Sequence, residues 1–381
     1  MKLDLLPMYD RDVDKAAPRP RTVVQVTWSL VAGGAETYAL TIASQLDARR
    51  YRAILCAVDQ GGALEDEIER LGIPYLILHR RPGLQLSLIW RLYRLFRRWK
   101  VDVVQTHHFN QLFYSALGAK LAGARLIHTE HSVEVYKRRS LRTALRFLAR
   151  LCDQVIAISN DGERVLREQV GIPARQLTVI RAGVELNGFI GSKSEARRAL
   201  GLEDTDRIVT IIARLFPEKN HRLLLAAFAE VIRHVERARL LIVGEGIERD
   251  AILAEIDRLG LGEHVRMLGV RRDVARILTA SDVFALSSDR EGLPIAVLEA
   301  MAVAKPVVAT SVGDLPLIVH DGVTGRLVPP QDPAALAAAL ADLLNDQARA
   351  AVMGTNAQQL VAQRYTLRAM IDQYTALYSQ R

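Results

Sequence analysis

The sequence predicts an α/β protein built from two doubly wound, Rossmann-like parallel-sheet domains, and three observations carry that expectation. The chain has 381 residues, more than one hydrophobic core ordinarily organises. Short β-branched apolar runs alternate with amphipathic stretches, the pattern of parallel strands covered by helices on both faces. The alternation breaks once, in the polar stretch Val184–Ser194, and then restarts.

A polar lead-in, residues 1–20, ends with Pro18 and Pro20. The apolar run Thr22–Leu30 then meets Gly33–Gly34, and Glu36–Leu46 takes helical spacing, so the first domain opens as strand, glycine turn, helix. Further strands are expected at Ala53–Val58, Tyr75–Leu78, Val101–Gln105, Arg125–Thr129, Gln154–Ile158 and Leu177–Ile180. Helices are expected between them at Leu64–Leu71, Gln111–Leu121 and Gly162–Gln169. The second half repeats the rhythm with strands at Ile208–Ala213, Leu240–Val243, Val265–Leu268, Val283–Leu286, Pro306–Ala309 and Arg326–Val328. Helical periodicity closes the chain in Pro333–Leu344 and Leu360–Ser379. The expected divisions are a first domain over 21–188, a second over 189–364 and a terminal helix over 365–381 near the junction. Doubly wound sheets bind ligands beyond the carboxyl ends of their strands, so a cleft between the halves is the expected active site.

Composition removes several function classes. The two cysteines, Cys56 and Cys152, lie in or beside apolar runs and cannot assemble a disulfide framework or a zinc cluster. Residues 1–15 lack the basic-then-apolar order of a signal peptide, and no apolar run reaches bilayer length. Cytoplasmic residence is the expectation. The net charge of +8 is local: residues 1–190 hold 28 Lys+Arg against 19 Asp+Glu, leaving 23 against 24 for the rest. Between Arg80 and Cys152, 15 basic residues face only Asp102, Glu130 and Glu134. Within that segment Leu84–Lys100 places Arg91, Arg94, Arg97, Arg98 and Lys100 on a helix with large apolar groups opposite. Lys137, Arg138, Arg139, Arg142, Arg146 and Arg150 make a second basic face. Such surfaces suit an anionic bilayer, each basic residue being worth about 1 kcal/mol there, and they equally suit an ordinary helix whose apolar side is core. Peripheral attachment to the inner face of the cell membrane is therefore an expectation. A nucleic-acid-binding protein is disfavoured, because the charge is confined to one segment and no recognised nucleic-acid motif accompanies it.

Four groups of residues could carry chemistry. The densest runs from Ser287 to Met301, after the strand Val283–Leu286. Glu291 falls in a strand-to-helix loop, Pro294 suits the first turn, and Glu299 follows in the helix, so two carboxylates could bracket a ligand. Gly292, Leu293, Pro294 and Ile295 lead into the free N–H groups of a helix start, an anion site suited to a diphosphate. The alternative makes Glu291 a partner of the helix dipole and Glu299 a solvent-facing residue. Second, Arg214 and Lys219 stand where the first strand of the second domain ends, and two cations can offset a diphosphate without a metal. They could also be solvated loop cations, one of them paired with Glu218. Third, Gly33-Gly34-Ala35-Glu36 could let backbone approach a phosphate, although a plain tight turn is favoured because the third glycine of the dinucleotide fingerprint is missing. Fourth, His128 and His131, with His107 and His108 one strand earlier, could orient hydroxyls, pair on a metal or be satisfied loop histidines. The Asp-x-Asp run Asp10 to Asp14 lies in the lead-in and reads as a polar tail.

In order and approximate spacing, Gly33-Gly34-Ala35-Glu36, Glu130-His131, Arg214-x4-Lys219, Val243-Gly244-Glu245-Gly246 and Glu291-x7-Glu299 resemble the retaining glycosyltransferases of family four, the group 1 enzymes with the GT-B fold. The likeness covers nearly the whole chain from Thr22, and its Glu-x7-Glu element with the upstream Arg and Lys is its most specific part. The resemblance implies a hexosyltransferase that takes a UDP- or GDP-linked sugar to an acceptor hydroxyl on a glycan or lipid carrier, in cell-surface polysaccharide or glycolipid assembly. It implies that Arg214 and Lys219 hold the donor diphosphate and that Glu299 binds the ribose. Glu291, with the backbone of Gly292 to Ile295, would contact the sugar. His131 would lie near the reaction centre, Gly33 and Gly34 would close over the phosphates, and Gly269–Arg272 would bracket the base. Neither a cofactor nor a metal is expected. A nucleotide-sugar epimerase on the same architecture is the principal alternative.

Overall fold

The computed structural model describes residues 19–31, 33–131, 136, 138–185 and 191–380. The Asp10–Asp14 run, Lys137 and residues 186–190 of the expected linker lie outside them. The chain divides into two compact units, Met1–Arg181 with Met370–Arg381, and Ala182–Ala369.

The first unit holds β1 (Arg21–Thr27), β2 (Tyr51–Ala57), β3 (Tyr75–Ile77), β4 (Val103–His107), β5 (Arg125–Glu130), β6 (Gln154–Ala157) and β7 (Leu177–Val179). They form one sheet in the order β3-β2-β1-β4-β5-β6-β7, and every neighbouring pair is parallel. Both faces are covered. Ile54, Cys56 and Val58 enter one apolar cluster with Leu88, Leu92 and Phe96, while Leu55 and Ala57 enter another with Leu40 and Ile68. That alternation follows from the two-residue period of a strand. Strand order reverses between β1 and β4, the place where crossovers leave a doubly wound sheet in opposite directions and open a crevice at the strand ends.

The second unit holds β8 (Arg207–Ile212), β9 (Ala238–Val243), β10 (Val265–Gly269), β11 (Val283–Leu286), β12 (Val307–Thr310) and β13 (Gly325–Val328). Its all-parallel order is β10-β9-β8-β11-β12-β13, with the reversal between β8 and β11. The two doubly wound sheets expected from the sequence are present, and together they make the α/β GT-B fold.

One expected element is corrected. The single helix read over Leu360–Ser379 is two, Gln347–Arg364 and Leu367–Ser379. At the break, Tyr365 O accepts from Val184 N at 2.9 Å and Leu367 N donates to Val184 O at 3.0 Å, so this backbone serves a bridge instead of a helix. Thr366 Oγ1 then accepts from Ala369 N at 3.2 Å, a side-chain cap for the last helix. Within the first unit that helix buries Tyr374 and Tyr378 completely. Among the described residues no helix is long and apolar enough to cross a membrane, and both cysteines are free and buried.

Candidate active site

The loops after β8 and β11, the two strands flanking the reversal in the second unit, are tied to each other before any charged group is considered. Asn220, in the left-handed region at φ 45, caps the helix His221–His234 through Oδ1, which accepts from Leu223 N at 3.1 Å. Its Nδ2 donates to Asp289 Oδ1 at 3.0 Å. Asp289 N donates to Glu218 O at 2.9 Å, and Ser287 Oγ donates to Lys219 O at 3.0 Å. These bonds fix Lys219 against Glu291, with Nζ 2.5 Å from Oε1. Ser288 Oγ donates to the same carboxylate oxygen at 2.6 Å.

Glycine shapes both edges of this junction. At Gly313 φ is +55 and a Cβ would stand 1.9 Å from Glu291 O, so only glycine lets this backbone pass beneath the Glu291 loop. Gly244, at φ +138, would place a Cβ 1.9 Å from Ala213 O. The Val243–Gly246 segment thereby lies against the start of the Arg214 loop, where Leu215 N donates to Glu245 O at 2.9 Å. In the Gly269–Arg272 loop, Arg271 makes a two-pronged bond to Asp273, each contact 2.8 Å.

Four charged groups were expected to share a ligand, and they stand differently. Lys219 and Glu291 meet directly. Arg214 is more exposed, at 62%, lying over the Phe216 ring and pairing with Glu218 at 3.2 Å, as the alternative reading allowed for one of the two cations. Glu299 sits five residues into the helix Ile295–Ala302, and among the described residues no hydrogen bond or ion pair reaches it. Burial raises its carboxyl above the usual range. Pro294 is not in the first turn as expected. It is the extended cap residue at φ −75 and ψ 108, and the helix has no side-chain cap, so its leading N–H groups remain for solvent or an anion.

In the first unit Gly33 is the cap residue of the helix Gly34–Gln45, which also lacks a side-chain cap. A Cβ at Gly34 would meet nothing within 4 Å, so the surrounding protein does not itself demand glycine there. The histidines occupy the ends of β4 and β5. His128 and His131 do not form a pair: His128 Nδ1 bonds Thr106 Oγ1 at 2.9 Å, whereas His131 Nε2 lies 2.9 Å from His107 Nδ1. His107 Nε2 lies 2.8 Å from Gln25 Oε1. Burial, with positive charge possible on His108 and His128, holds His107 down at about 3. Burial and the neighbouring His108 and His107 likewise push His131 well below its usual value. Burial opposes ionisation of Glu130, yet bonds and charge from His108 and His128 outweigh it and hold its carboxyl below the usual range. Glu130 also accepts from the Tyr136 hydroxyl and from His131 N, which anchors the chain where His131 leaves β5.

Sequence reasoning missed Ser288, Gly313, Gln25 and the tyrosines Tyr38, Tyr374 and Tyr378. Gln25 was findable, since an amide in the middle of the apolar run Thr22–Leu30 must find a buried partner. The tyrosines come from other parts of the chain. Tyr38 meets His131 edge-on with centroids 5.1 Å apart, and its hydroxyl lies 3.1 Å from that of Tyr374.

Comparison with known proteins finds matches in both units. The family model described as "Glycosyltransferase Family 4" matches residues 32–187, and "Glycosyl transferases group 1" matches residues 192–360. D-inositol 3-phosphate glycosyltransferase of Thermobispora bispora is 31% identical over 71% of this chain and 69% of its own length. The enzyme of that name from Segniliparus rotundus is also 31% identical, over 74% of this chain and 66% of its own length. A galactosyltransferase of Escherichia coli, acting from UDP-Gal on GlcNAc-diphosphoundecaprenol, is 26% identical over 83% of this chain and 84% of its own. Among solved structures, HepE of Anabaena in complex with UDP and glucose superposes with a TM-score of 0.84 at 25% identity, covering 94% of this chain and 99% of that one.

Proposed function

Because the chain belongs to the family-four, group 1 glycosyltransferases, we propose that it is a retaining enzyme that moves a hexose-type sugar from a UDP- or GDP-linked donor to an acceptor hydroxyl. The observation that carries this reading is the junction of Lys219 and Glu291 beside an uncapped helix start. Lys219, Arg214 and the leading N–H groups offer positive charge to a diphosphate, while Glu291 and the backbone from Gly292 to Ile295 offer hydrogen bonds to a sugar. Glu299, in the same helix, takes the ribose hydroxyls. In the first unit Gly33 and Gly34 present a second helix start to phosphate, and His131 serves the reacting sugar.

The reaction follows the family's front-face substitution. The bond from the anomeric carbon to the departing phosphate oxygen breaks, the acceptor oxygen bonds that carbon on the same face, and the phosphate helps take the acceptor proton. Cations at the phosphate stabilise the negative charge that develops there, so this reading invokes neither metal nor cofactor.

The likeness to an enzyme that acts on a diphosphoundecaprenol-linked sugar supports a lipid-linked or glycan acceptor and work at the inner face of the cell membrane. Leu88, Leu92 and Phe96 of the basic helix Ser87–Arg98 are core, which is the ordinary role weighed above. Leu84, Leu86 and Trp90 nevertheless remain exposed, as does Phe147 beneath Arg150, and these groups support contact with an anionic bilayer.

A thermal-shift panel of nucleoside diphosphates and nucleotide sugars tests the reading, followed by Glu291→Ala on the best ligand. Retained nucleotide binding with lost discrimination between sugars is the expected result. No stabilisation by any nucleotide sugar, or donor consumption without an acceptor as in an epimerase, would overturn it.

A further inference from the structure

A buried chain of hydrogen bonds runs from the last helix to His131, and the placement of its two amides, Gln25 and Gln105, sets its polarity. Tyr378 OH donates to Gln105 Oε1. Gln25 Nε2 donates to the Tyr378 oxygen at 3.0 Å, and its next acceptor is the same Gln105 Oε1 at 3.4 Å. Gln105 Nε2 is itself occupied with Thr129 Oγ1 at 2.8 Å. The Gln25 amide is therefore oriented, with Oε1 turned to His107 Nε2 at 2.8 Å. An amide oxygen only accepts, so His107 must carry its proton on Nε2 and leave Nδ1 bare. Bare Nδ1 accepts at 2.9 Å from His131, which must then carry its own proton on Nε2.

His131 is left with Nδ1 unprotonated, and among the described residues nothing bonds that atom. Gln25, Gln105 and His107 are fully buried, as is Tyr378, so water does not scramble the order. The depressed pKa values of His107 and His131 agree with two neutral rings.

We propose that Gln25, His107 and Tyr378 are positioning residues that hold His131 in the Nε2–H tautomer, so that its Nδ1 accepts a hydrogen bond from a substrate hydroxyl. The proposal rests on the glycosyl-transfer reading for the identity of the hydroxyl, and on the bond polarity alone for the tautomer. It makes His131 a neutral acceptor rather than a cation beside the phosphate. The alternate Nδ1–H tautomer would turn a donor toward the ligand and leave His131 Nε2 and His107 Nδ1 facing each other as two acceptors, a buried conflict.

Long-range proton–nitrogen correlation spectra of the ¹⁵N-labelled full chain test this directly, with the His131 signals assigned by their loss in His131→Asn. The expected wild-type spectrum near neutral pH shows His131 and His107 both protonated on Nε2 only. A protonated Nδ1 on His131, or an imidazolium, would overturn the proposal with no further variant needed. Gln25→Leu is expected to mix the tautomers and to lower kcat about tenfold while the Kd for the nucleoside diphosphate stays unchanged. Gln25→Glu keeps an acceptor oxygen at the same place and is expected to restore the tautomer and most of kcat. A Gln25→Leu protein that loses thermal stability or kcat with an unchanged His131 tautomer would show Gln25 to be merely structural and sink the relay. A wild type with the stated tautomer but no turnover of any nucleotide sugar would sink the glycosyl-transfer reading and leave the relay standing.

Discussion

Lys219 Nζ lies 2.5 Å from Glu291 Oε1, and the two side chains keep only 15% and 6% of their surface exposed. The cation comes from the β8 loop and the anion from the β11 loop, so one ion pair locks together the two strand ends where a doubly wound sheet binds ligands. Breaking such a pair from one side leaves a desolvated charge. Lys219→Ala is expected to lower unfolding free energy by about 3 kcal/mol in a denaturant titration. Nucleoside-diphosphate affinity should fall with it, and unchanged stability would show that the carboxylate is adequately solvated without its partner.

Arg214 offers the opposite balance. Its pair with Glu218 is 62% and 29% exposed on the two sides, a geometry worth little to the fold. Arg214→Ala should therefore leave the melting temperature nearly unchanged while turnover drops by roughly a hundredfold, the usual cost of losing one group that stabilises developing charge. Steady-state kinetics beside a melting curve separate the two effects.

Gly313 supports Glu291 from below. Gly313→Ala introduces a methyl 1.9 Å from Glu291 O at a residue with φ +55, and the loop must move to admit it. A loss of about 1–3 kcal/mol is expected, together with weaker binding of nucleotide sugars. A variant as stable as the parent would show that the segment relaxes at no cost.

His221 gives a pH signature. It is 3% exposed, neither ring nitrogen has a partner among the described residues, and burial beside Lys219 holds its pKa at about 4 against an ordinary 6.5. The unfolded chain thus binds the proton more readily, so this group's contribution is complete above the ordinary value and lost as pH falls from 6.5 toward 4. The slope is roughly 1.4 kcal/mol per pH unit. His221→Leu should flatten the acid limb of the stability curve by about one proton and raise stability at neutral pH by about 1 kcal/mol. His107 contributes a slope of the same sign, so the difference between variant and parent is the quantity to measure.

The basic helix makes a fifth prediction. Replacing Arg94, Arg97 and Arg98 by Gln should abolish co-sedimentation with anionic vesicles at low salt while leaving the fold intact, since all three are exposed. An unmodified protein that fails to bind such vesicles would end the membrane proposal.

Much of this architecture is legible in the residues themselves. A buried parallel strand such as β11 reads as a continuous apolar run because both faces are covered. The charged loop residues followed from their positions just beyond strand ends. What could not be read was pairing across the sequence. Nothing near Glu291 announces that Lys219, 72 residues earlier, is its partner, and nothing near His107 announces Gln25. Pro294 was misplaced by one turn position because proline suits both a cap and a first turn until the backbone angles are known. The break at Tyr365–Thr366 was hidden because Tyr and Thr do not interrupt helical spacing, and a tertiary bridge to Val184 decides the matter.

The path of the chain also sets an order of assembly. The first unit lacks its closing helix until residues 370–381 have been made, and the 188 residues of Ala182–Ala369 come in between. At ordinary translation speeds of roughly 5–20 residues per second, that interval is about 10–40 s. Throughout it, the sheet that presents Gln25 and Gln105 waits on the ribosome with the seats of Tyr374 and Tyr378 empty. The buried partners around His107 and His131 are therefore complete only once Tyr374 and Tyr378 have been made and have docked on this sheet.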